Sequence, residues 1–376
     1  MTGLPIIGVV GLGTMGLGIA QVYAQAGHPV LMTDAVPAAR SDALNRLGQT
    51  LGARVAAGKM TDAGRADILS RLSVVEAPAS MAPATVVIEA IVEQIAAKAA
   101  VFAELEAVIA PDAVLASNTS SLSIAALAAP LRHPNRLIGL HFFNPAPAMR
   151  LVELIGLPGT NPAALALARH HTEAAGKAVI TCPDRPGFIV NRCARPFYGE
   201  ALALLAEGRS ASDIDAAMLT AGYRIGPLSL IDLIGADINL AATEGLSAAM
   251  GGHPRYHVFD ALRAQVARGD LGRKTGRGFL YPAAPGPAPA DAAALALRIE
   301  ATLINEAATL LAEGGTTRDG IDTALTLGLN FPHGPFAALR RHGLPRILAT
   351  LAALEDRAPL HLKGRYTPSP ALSEAP

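Results

Sequence analysis

Residues Ile6–Val10 form a short apolar run that leads straight into Gly11-Leu12-Gly13-Thr14-Met15-Gly16. A helical stretch follows to about Ala26, Gly27 reads as its stop, and a second apolar run, Pro29–Thr33, closes on Asp34. Strand, glycine turn, helix, strand and acid in that order form a dinucleotide-binding unit with a mechanism behind each residue. Gly11 permits the tight turn, Gly13 lets backbone approach a pyrophosphate, and Gly16 lets helix and strand pack closely. The helix opening at Thr14 and Met15 offers unpaired N–H groups and partial positive charge to the phosphates. Asp34 lies 18 residues after Gly16, near the roughly 20 at which an acid accepts from a ribose 2′-hydroxyl. A carboxylate there repels a 2′-phosphate, so NAD is expected rather than NADP.

Further apolar runs predict strands at Val86–Ala90, Ala113–Ser117, Leu137–His141, Leu151–Ile155 and Ala178–Thr181, with a polar helical region from about Ala38 to Leu72, broken near Gly58. Ligands on open α/β sheets bind beyond the carboxyl ends of the strands. The unusual polar residues cluster at those ends: Gly13, Asp34, Glu93, Asn118, Ser120 and His141. After Pro183 the pattern turns to amphipathic helices as far as about Ala267, then a glycine-rich close, Gly272–Phe279, and a proline- and alanine-rich linker, Tyr281–Ala290.

Beyond the linker the sequence repeats itself. Glu200–Arg209 (EALALLAEGR) and Glu306–Gly315 (EAATLLAEGG) agree at seven of ten positions. Ile214-Asp215 returns as Ile321-Asp322 and Gly226-Pro227 as Gly334-Pro335, which reads as a helical unit duplicated and shortened. The predicted fold is an α/β Rossmann-type NAD-binding domain with a helical insert (1–184), followed by an all-α C-terminal domain that completes the active site (185–282). A linker (283–292), a second helical copy (293–360) and a solvated tail (361–376) complete the expectation.

Composition narrows the functions. The chain is 51% hydrophobic and 16% charged, enough for sizeable cores, and its 31 basic residues balance 31 acidic ones. No global field favours nucleic acid or an anionic membrane. Two cysteines, Cys182 and Cys193, make no disulfide framework. The first residues lack the basic-apolar-small order of a signal peptide, and the charge-poor stretch Phe279–Leu297 carries Asp291 and four prolines, so it is no membrane span. A soluble cytoplasmic protein without a bound metal is expected.

Four stretches carry the chemistry: Ser117-Asn118-Thr119-Ser120-Ser121-Leu122; Gly139-Leu140-His141-Phe142-Phe143-Asn144-Pro145; Leu151-Val152-Glu153; and Pro186-Gly187-Phe188-Ile189-Val190-Asn191-Arg192. With the glycine turn, Glu89-Ala90-Ile91-Val92-Glu93 and the closing Gly272–Phe279, the chain resembles the L-3-hydroxyacyl-CoA dehydrogenase family over about residues 5–282, and the repeated segment resembles a second copy of that family's C-terminal domain. The resemblance implies NAD-dependent oxidation of a 3-hydroxyacyl-CoA, as in fatty acid β-oxidation, with an acyl-CoA as the partner. It places His141 as general base, Glu153 as the carboxylate that orients it, and Ser120 and Asn191 beside the substrate oxygen. Gly11, Gly13, Thr14, Met15, Gly16, Asp34, Glu93, Lys98, Asn118 and Asn144 match cofactor positions. Histidine, with a reference pKa near 6.5, suits a base for a hydroxyl proton at neutral pH.

Plainer readings stand beside these. Glu153 could form a structural ion pair with Arg150 or Arg192. Ser120 could cap a helix over Leu122–Ala128, Asn191 could bond backbone, and Lys98 could be a solvated face residue. Lys59 could meet CoA phosphates but reads first as a surface lysine. In the repeat, Glu300–Asn305 (EATLIN) stands where Pro-Gly-Phe-Ile-Val-Asn would be expected, so no second active site is expected there. Single-copy relatives dimerise through the helical domain, which implies a homodimer or a pseudo-dimeric monomer here. The stretches Val190–Tyr198 and Ala221–Pro227 resemble the branch of phenylacetate catabolism that oxidises 3-hydroxyadipyl-CoA, with Arg195 or Arg224 as candidates for a distal carboxylate; 3-hydroxybutyryl-CoA is the competing substrate. Alternatives of other classes are a gulonate-type sugar-acid dehydrogenase and a non-catalytic, crystallin-like NAD-binding protein.

Overall fold

A computed structural model describes residues 4–373. Met1–Gly3 and the last three residues of the tail, with the expectations that fall on them, lie outside that range. The chain divides into two units, one up to Arg185 and one from Pro186.

The first unit runs β1 (Ile7–Val10), α1 (Thr14–Gln25), β2 (Val30–Thr33), α2 (Pro37–Ala56), α3 (Asp62–Ser70), β3 (Leu72–Val74), β4 (Val86–Glu89), α4 (Ile95–Val108), β5 (Val114–Ser117), α5 (Ile124–Ala128), β6 (Leu137–Phe142), β7 (Leu151–Gly156), α6 (Pro162–Ala174) and β8 (Ala178–Pro183). One sheet of order β3-β2-β1-β4-β5-β6-β7-β8 contains all eight strands. Neighbours pair in parallel except β6 and β7, which are antiparallel. The central strands are apolar throughout because helices cover both faces of such a sheet, and Ile7, Val9, Ile88, Val114 and Ile138 are buried in one core. The chain order reverses between β1 and β4, which opens the crevice where such sheets take ligands.

Three local expectations are corrected. The helical region after β2 stops at Ser70, and Leu72 begins the short strand β3. The helix after Ser120 starts at Ile124, and Ser123 caps it by accepting from Ala126 N–H. Asp184 accepts from Ile124 and Ala125 N–H at 3.0 and 2.9 Å, so Ser120 caps nothing there.

The second unit is helical: α7 (Val190–Cys193), α8 (Arg195–Ala206), α9 (Ala211–Thr220), α10 (Pro227–Ile234), α11 (Ala236–Ala249), α12 (Asp260–Ala267), α13 (Ala292–Ala312), α14 (Arg318–Leu329), α15 (Pro335–His342), α16 (Leu344–Arg357) and α17 (Pro370–Ser373). The repeated sequence pairs have a physical reason. Asp215 accepts from Leu228 and Ser229 N–H at the start of α10. Asp322 does the same for Phe336 and Ala337 at the start of α15. A Cβ on Gly226 would collide with Asp215, and one on Gly334 with Asp322, so the aspartate demands the glycine that precedes each helix.

Ion pairs centred on the buried Glu306 and Glu200 join residues 187–281 to the segment after the linker, and they are reciprocal. Arg192 donates to Glu306 at 2.6 Å and to both oxygens of Glu313. Arg298 donates to Glu200 at 2.7 Å and to both oxygens of Glu207. Tyr256 and Arg255 complete the shell of Glu306, as Tyr366 and Arg365 complete that of Glu200. Two expectations change as a result. Arg298 stands in the place of Arg192, so the counterpart of Pro186–Asn191 is Ala292–Leu297 and not Glu300–Asn305; it still lacks the asparagine. The tail is not solvated over its described part, because Arg365, Tyr366 and Leu372 are buried.

Candidate active site

The glycine turn has the space that the sequence demands. Gly11 sits at φ +101°, where L side chains are strained, and a Cβ on Gly16 would strike the Gly11 carbonyl. A Cβ on Gly13 would meet no protein atom within 4 Å. No side chain caps α1 at Gly13, so the N–H groups opening at Thr14 and Met15 face that open space, as an anion site requires. Asp34, at the end of β2, holds the turn: its carboxylate accepts from Leu12 N–H at 2.7 Å and Val36 N–H at 2.8 Å. These features fit a dinucleotide.

Four strands over, β6 pairs with β7 in the register that sets His141 opposite Glu153. At ~4.8 Å per strand, the sheet separates β2 from β6 by roughly 19 Å, a distance of dinucleotide scale. Both side chains are buried, and His141 Nδ1 lies 2.7 Å from Glu153 Oε2. The Phe143 ring packs on the imidazole at 4.4 Å. Arg192 is occupied by Glu306 and Glu313, and the carboxylate of Glu153 turns to His141.

Between these ends lies a carboxylate network that runs from the exposed Glu93 to the buried Lys98 and Glu89. Glu93 accepts from Thr119 Oγ1, Ser120 N–H and Ser121 Oγ at 2.5, 3.1 and 3.0 Å. Burial raises its carboxyl, but the bond from Thr119 and the charge of Lys98 outweigh this and hold it below the usual carboxylate range. Lys98 is buried and bridges Glu89 at 2.5 Å to Glu93 at 3.3 Å; it is not a solvated face residue. Asn118 Oδ1 accepts from Phe142 N–H at 2.8 Å, tying β5 to β6 next to His141. Asn144 is exposed on the loop after β6. Glu89 and Thr119 were not singled out by sequence. The signal was available in Glu89, an acid ending an apolar strand nine residues before a lysine, since a buried acid needs a partner.

In the helical unit, Asn191 and Arg195 lie one turn apart on adjoining α7 and α8. The preceding Phe188 holds φ +50°, a strained conformation for a non-glycine residue that tends to collect at functional sites. Arg224 is exposed.

The 3-hydroxyacyl-CoA dehydrogenase NAD-binding domain matches residues 6–185, and that family's C-terminal domain matches residues 187–281 and again 295–375. The chain belongs to the 3-hydroxyacyl-CoA dehydrogenase family. Membership carries the class of an NAD-dependent oxidoreductase acting on CH–OH, and the fold is a Rossmann-type sheet followed by a helical domain. A 3-hydroxyadipyl-CoA dehydrogenase of Escherichia coli is 41% identical over 280 residues, 74% of this chain; the chain spans 59% of that relative. A 3-hydroxybutyryl-CoA dehydrogenase of Mycobacterium tuberculosis is 40% identical over 278 residues, 73% of this chain and 96% of its own. The crystal structure of 3-hydroxybutyryl-CoA dehydrogenase from Escherichia coli K12 aligns over 98% of both chains with TM-score 0.91 and 32% identity. Among the described residues of this family member, no helix is long and apolar enough to cross a membrane.

Proposed function

We propose that the chain oxidises the 3-hydroxyl of an L-3-hydroxyacyl-CoA to the 3-oxo thioester, with His141 as general base. The observation that carries this reading is the buried His141–Glu153 pair at 2.7 Å inside a sheet of this family. With Nδ1–H donated to Glu153, the imidazole keeps its lone pair on Nε2 for the substrate hydroxyl proton. As that proton arrives, the carboxylate stabilises the imidazolium, the role an acid plays behind a catalytic histidine elsewhere. NAD supplies the acceptor for the hydride that leaves C3. Ser120 and Asn191 hydrogen-bond the oxygen as it becomes a carbonyl, and Glu93 fixes Ser120 through its backbone N–H.

The CoA part of the reading is supported by basic residues on the helical insert. A cavity of about 320 Å³ is lined by Thr14, Gly18, Gln21, Arg46, Arg54 and Asn144, among others. Arg54 Nε is buried there with no hydrogen-bond partner, and Lys59 is exposed nearby in sequence. Cations in that state suit phosphate oxygens. Acyl-CoA breakdown in the cytoplasm, as in β-oxidation or phenylacetate catabolism, is the setting this implies. The test is NADH formation from (S)- and (R)-3-hydroxyacyl-CoA thioesters. Turnover of the (S) series that falls on the order of 1,000-fold in His141→Ala with NADH binding retained is expected; full turnover by that variant would overturn the assignment. A strict preference for a free sugar acid would favour the gulonate-type alternative.

The second reading concerns residues 293–360 as a shortened copy of the helical domain that takes the place of a partner subunit. Reciprocal contacts, in which Arg192 meets Glu306 and Arg298 meets Glu200, are the pattern of a two-fold interface. Light scattering is expected to give a one-chain mass for the full protein. A chain truncated near Pro282 is expected to dimerise or fail to fold, and one that stays folded and monomeric would refute the reading.

A further inference from the structure

The start of α13 and one face of α16 enclose a cavity of about 430 Å³ that none of the residues proposed for catalysis lines. The buried Leu295, Leu297 and Leu354 make its floor. The exposed Ala294, Ala349 and Ala353 leave it open as a groove, because their side chains stop at one carbon. Residues 346, 350, 353 and 357 recur at three- and four-residue steps, so they share one face of α16. Arg298, Arg346, Thr350 and Arg357 complete the lining, and no acid belongs to it.

The three arginines differ in what already answers their charge. Arg298 uses its whole guanidinium on Glu200 and Glu207. Arg357 lies in the last turn of α16, where the negative end of the helix favours a cation. Its Nε donates to the Ala353 carbonyl at 2.9 Å, and its charge acts on Glu207. Arg346 has no such account. It is the third residue of α16, where the positive end of the helix repels it. Among the described residues, its exposed side chain makes no hydrogen bond or ion pair. The repeated frame does not supply it either. With α10 and α11 set on α15 and α16 from their Gly-Pro starts, Arg346 falls on Ile238 and Arg357 on Ala249. Both cations are confined to the second segment, and neither the helix nor the frame requires Arg346 at its place.

We propose that this groove binds a single-chain fatty carboxylate, with the head group on Arg346 and the alkyl chain over Leu295, Ala349, Ala353 and Leu354. Charge complementarity selects the occupant. One cation without an acid matches one negative head, and a carboxylate can accept both arms of the guanidinium fork. The rest of the lining is hydrocarbon, and each CH₂ that leaves water there tightens binding roughly fourfold. An acidic peptide would need partners for its backbone groups. The only uncharged polar side chain in the lining is Thr350, whose hydroxyl already donates to the Arg346 carbonyl at 2.8 Å. A bare phosphate would leave the apolar walls in water. The groove is built wholly from residues 294–357, so the inference goes beyond the dehydrogenase reading and does not depend on it.

The experiment is isothermal titration calorimetry of the full chain with hexanoate, octanoate and decanoate below their micelle concentrations, and with 1-octanol as the uncharged control. Saturable binding is expected that tightens roughly 15-fold for each two carbons added. Octanoate should bind about 3- to 5-fold more tightly than 1-octanol, the scale of an exposed ion pair. Arg346→Glu is expected to weaken octanoate roughly 10-fold and to leave 1-octanol nearly unchanged. Ala353→Phe, which fills the groove, should weaken both. Thermal melting checks that each variant is folded, and Arg346→Gln and Ala349→Phe take their places if one is not. No saturable binding of decanoate, 1-octanol bound as tightly as octanoate, or octanoate binding unchanged in either folded variant would overturn the inference. None of these outcomes bears on NADH formation, which tests the dehydrogenase reading separately.

Discussion

Residues 187–281 and 295–373 share a frame and differ in what the frame encloses. Each contributes an arginine, two glutamates, a second arginine and a tyrosine to the same pattern of buried pairs. Each starts a helix with a glycine tucked under an aspartate. Yet the first puts Asn191, Arg195 and Tyr198 where the second puts Leu297, Ala301 and Ile304. Frame and filling are thus separable: the same ion pairs and caps enclose a polar set in the first segment and an apolar one in the second.

The sharpest attack on this comparison is to break the frame on one side at a time. Arg192→Met strands Glu306 without its main cation and is expected to destabilise by roughly 3–5 kcal/mol in urea unfolding. Arg298→Met should cost less, because Arg298 is 14% exposed where Arg192 is 0%; a reversed order would deny that the two pairs are equivalent. Exchanging the filling is the next test. Asn191→Leu is expected to lower kcat roughly 100-fold with melting little changed. Leu297→Asn should leave kcat alone but destabilise by about 1–3 kcal/mol through a buried amide.

A third test uses a feature that only the later segment has. Glu300, whose counterpart is Ala194, accepts from His333, His342, Arg341 and Tyr223. Burial raises its carboxyl, but the two histidine bonds and the Arg341 charge bring it down to about 2. A depressed carboxyl stabilises the fold above its unfolded value and loses that contribution as pH falls toward the folded one. Wild-type stability is therefore expected to fall between pH 4.5 and pH 2 by up to about 3 kcal/mol more than that of Glu300→Gln, read as urea midpoints. Parallel acid limbs would remove Glu300 from the account. The smallest effect is at the caps: Ser210→Ala and Thr317→Ala, at the starts of α9 and α14, should each cost about 1 kcal/mol, and unequal costs would limit the likeness of the two segments there.

Much of this was legible in the sequence where a residue's partner lies at a fixed spacing. The glycine turn, Asp34 and the run of strands follow from local patterns. His141 and Glu153 are close in sequence, and an antiparallel strand pair sets them face to face. What resisted reading depends on distant partners. Lys98 looks like a surface lysine until the buried Glu89 and the more exposed Glu93 are placed beside it. Strand β3 has only three residues, too few for a period. The Pro- and Ser-containing tail has a solvated composition, but Arg365 and Tyr366 find Glu200 across 165 and 166 residues. The misplaced register at Glu300–Asn305 has a similar cause. The first segment breaks between α7 and α8 after the left-handed Gly187 and Phe188, whereas α13 runs unbroken for 21 residues, so motif spacing alone could not align the two.

The covalent tie between the two ends of the Arg192–Glu306 and Arg298–Glu200 pairs also has a concentration meaning. A partner that is tethered by a short linker is present at an effective concentration in the millimolar range, however dilute the solution. An interface of this kind does not dissociate on dilution, nor does it exchange with related chains. Its two faces are also free to drift apart in sequence, since no mutation on one is copied to the other.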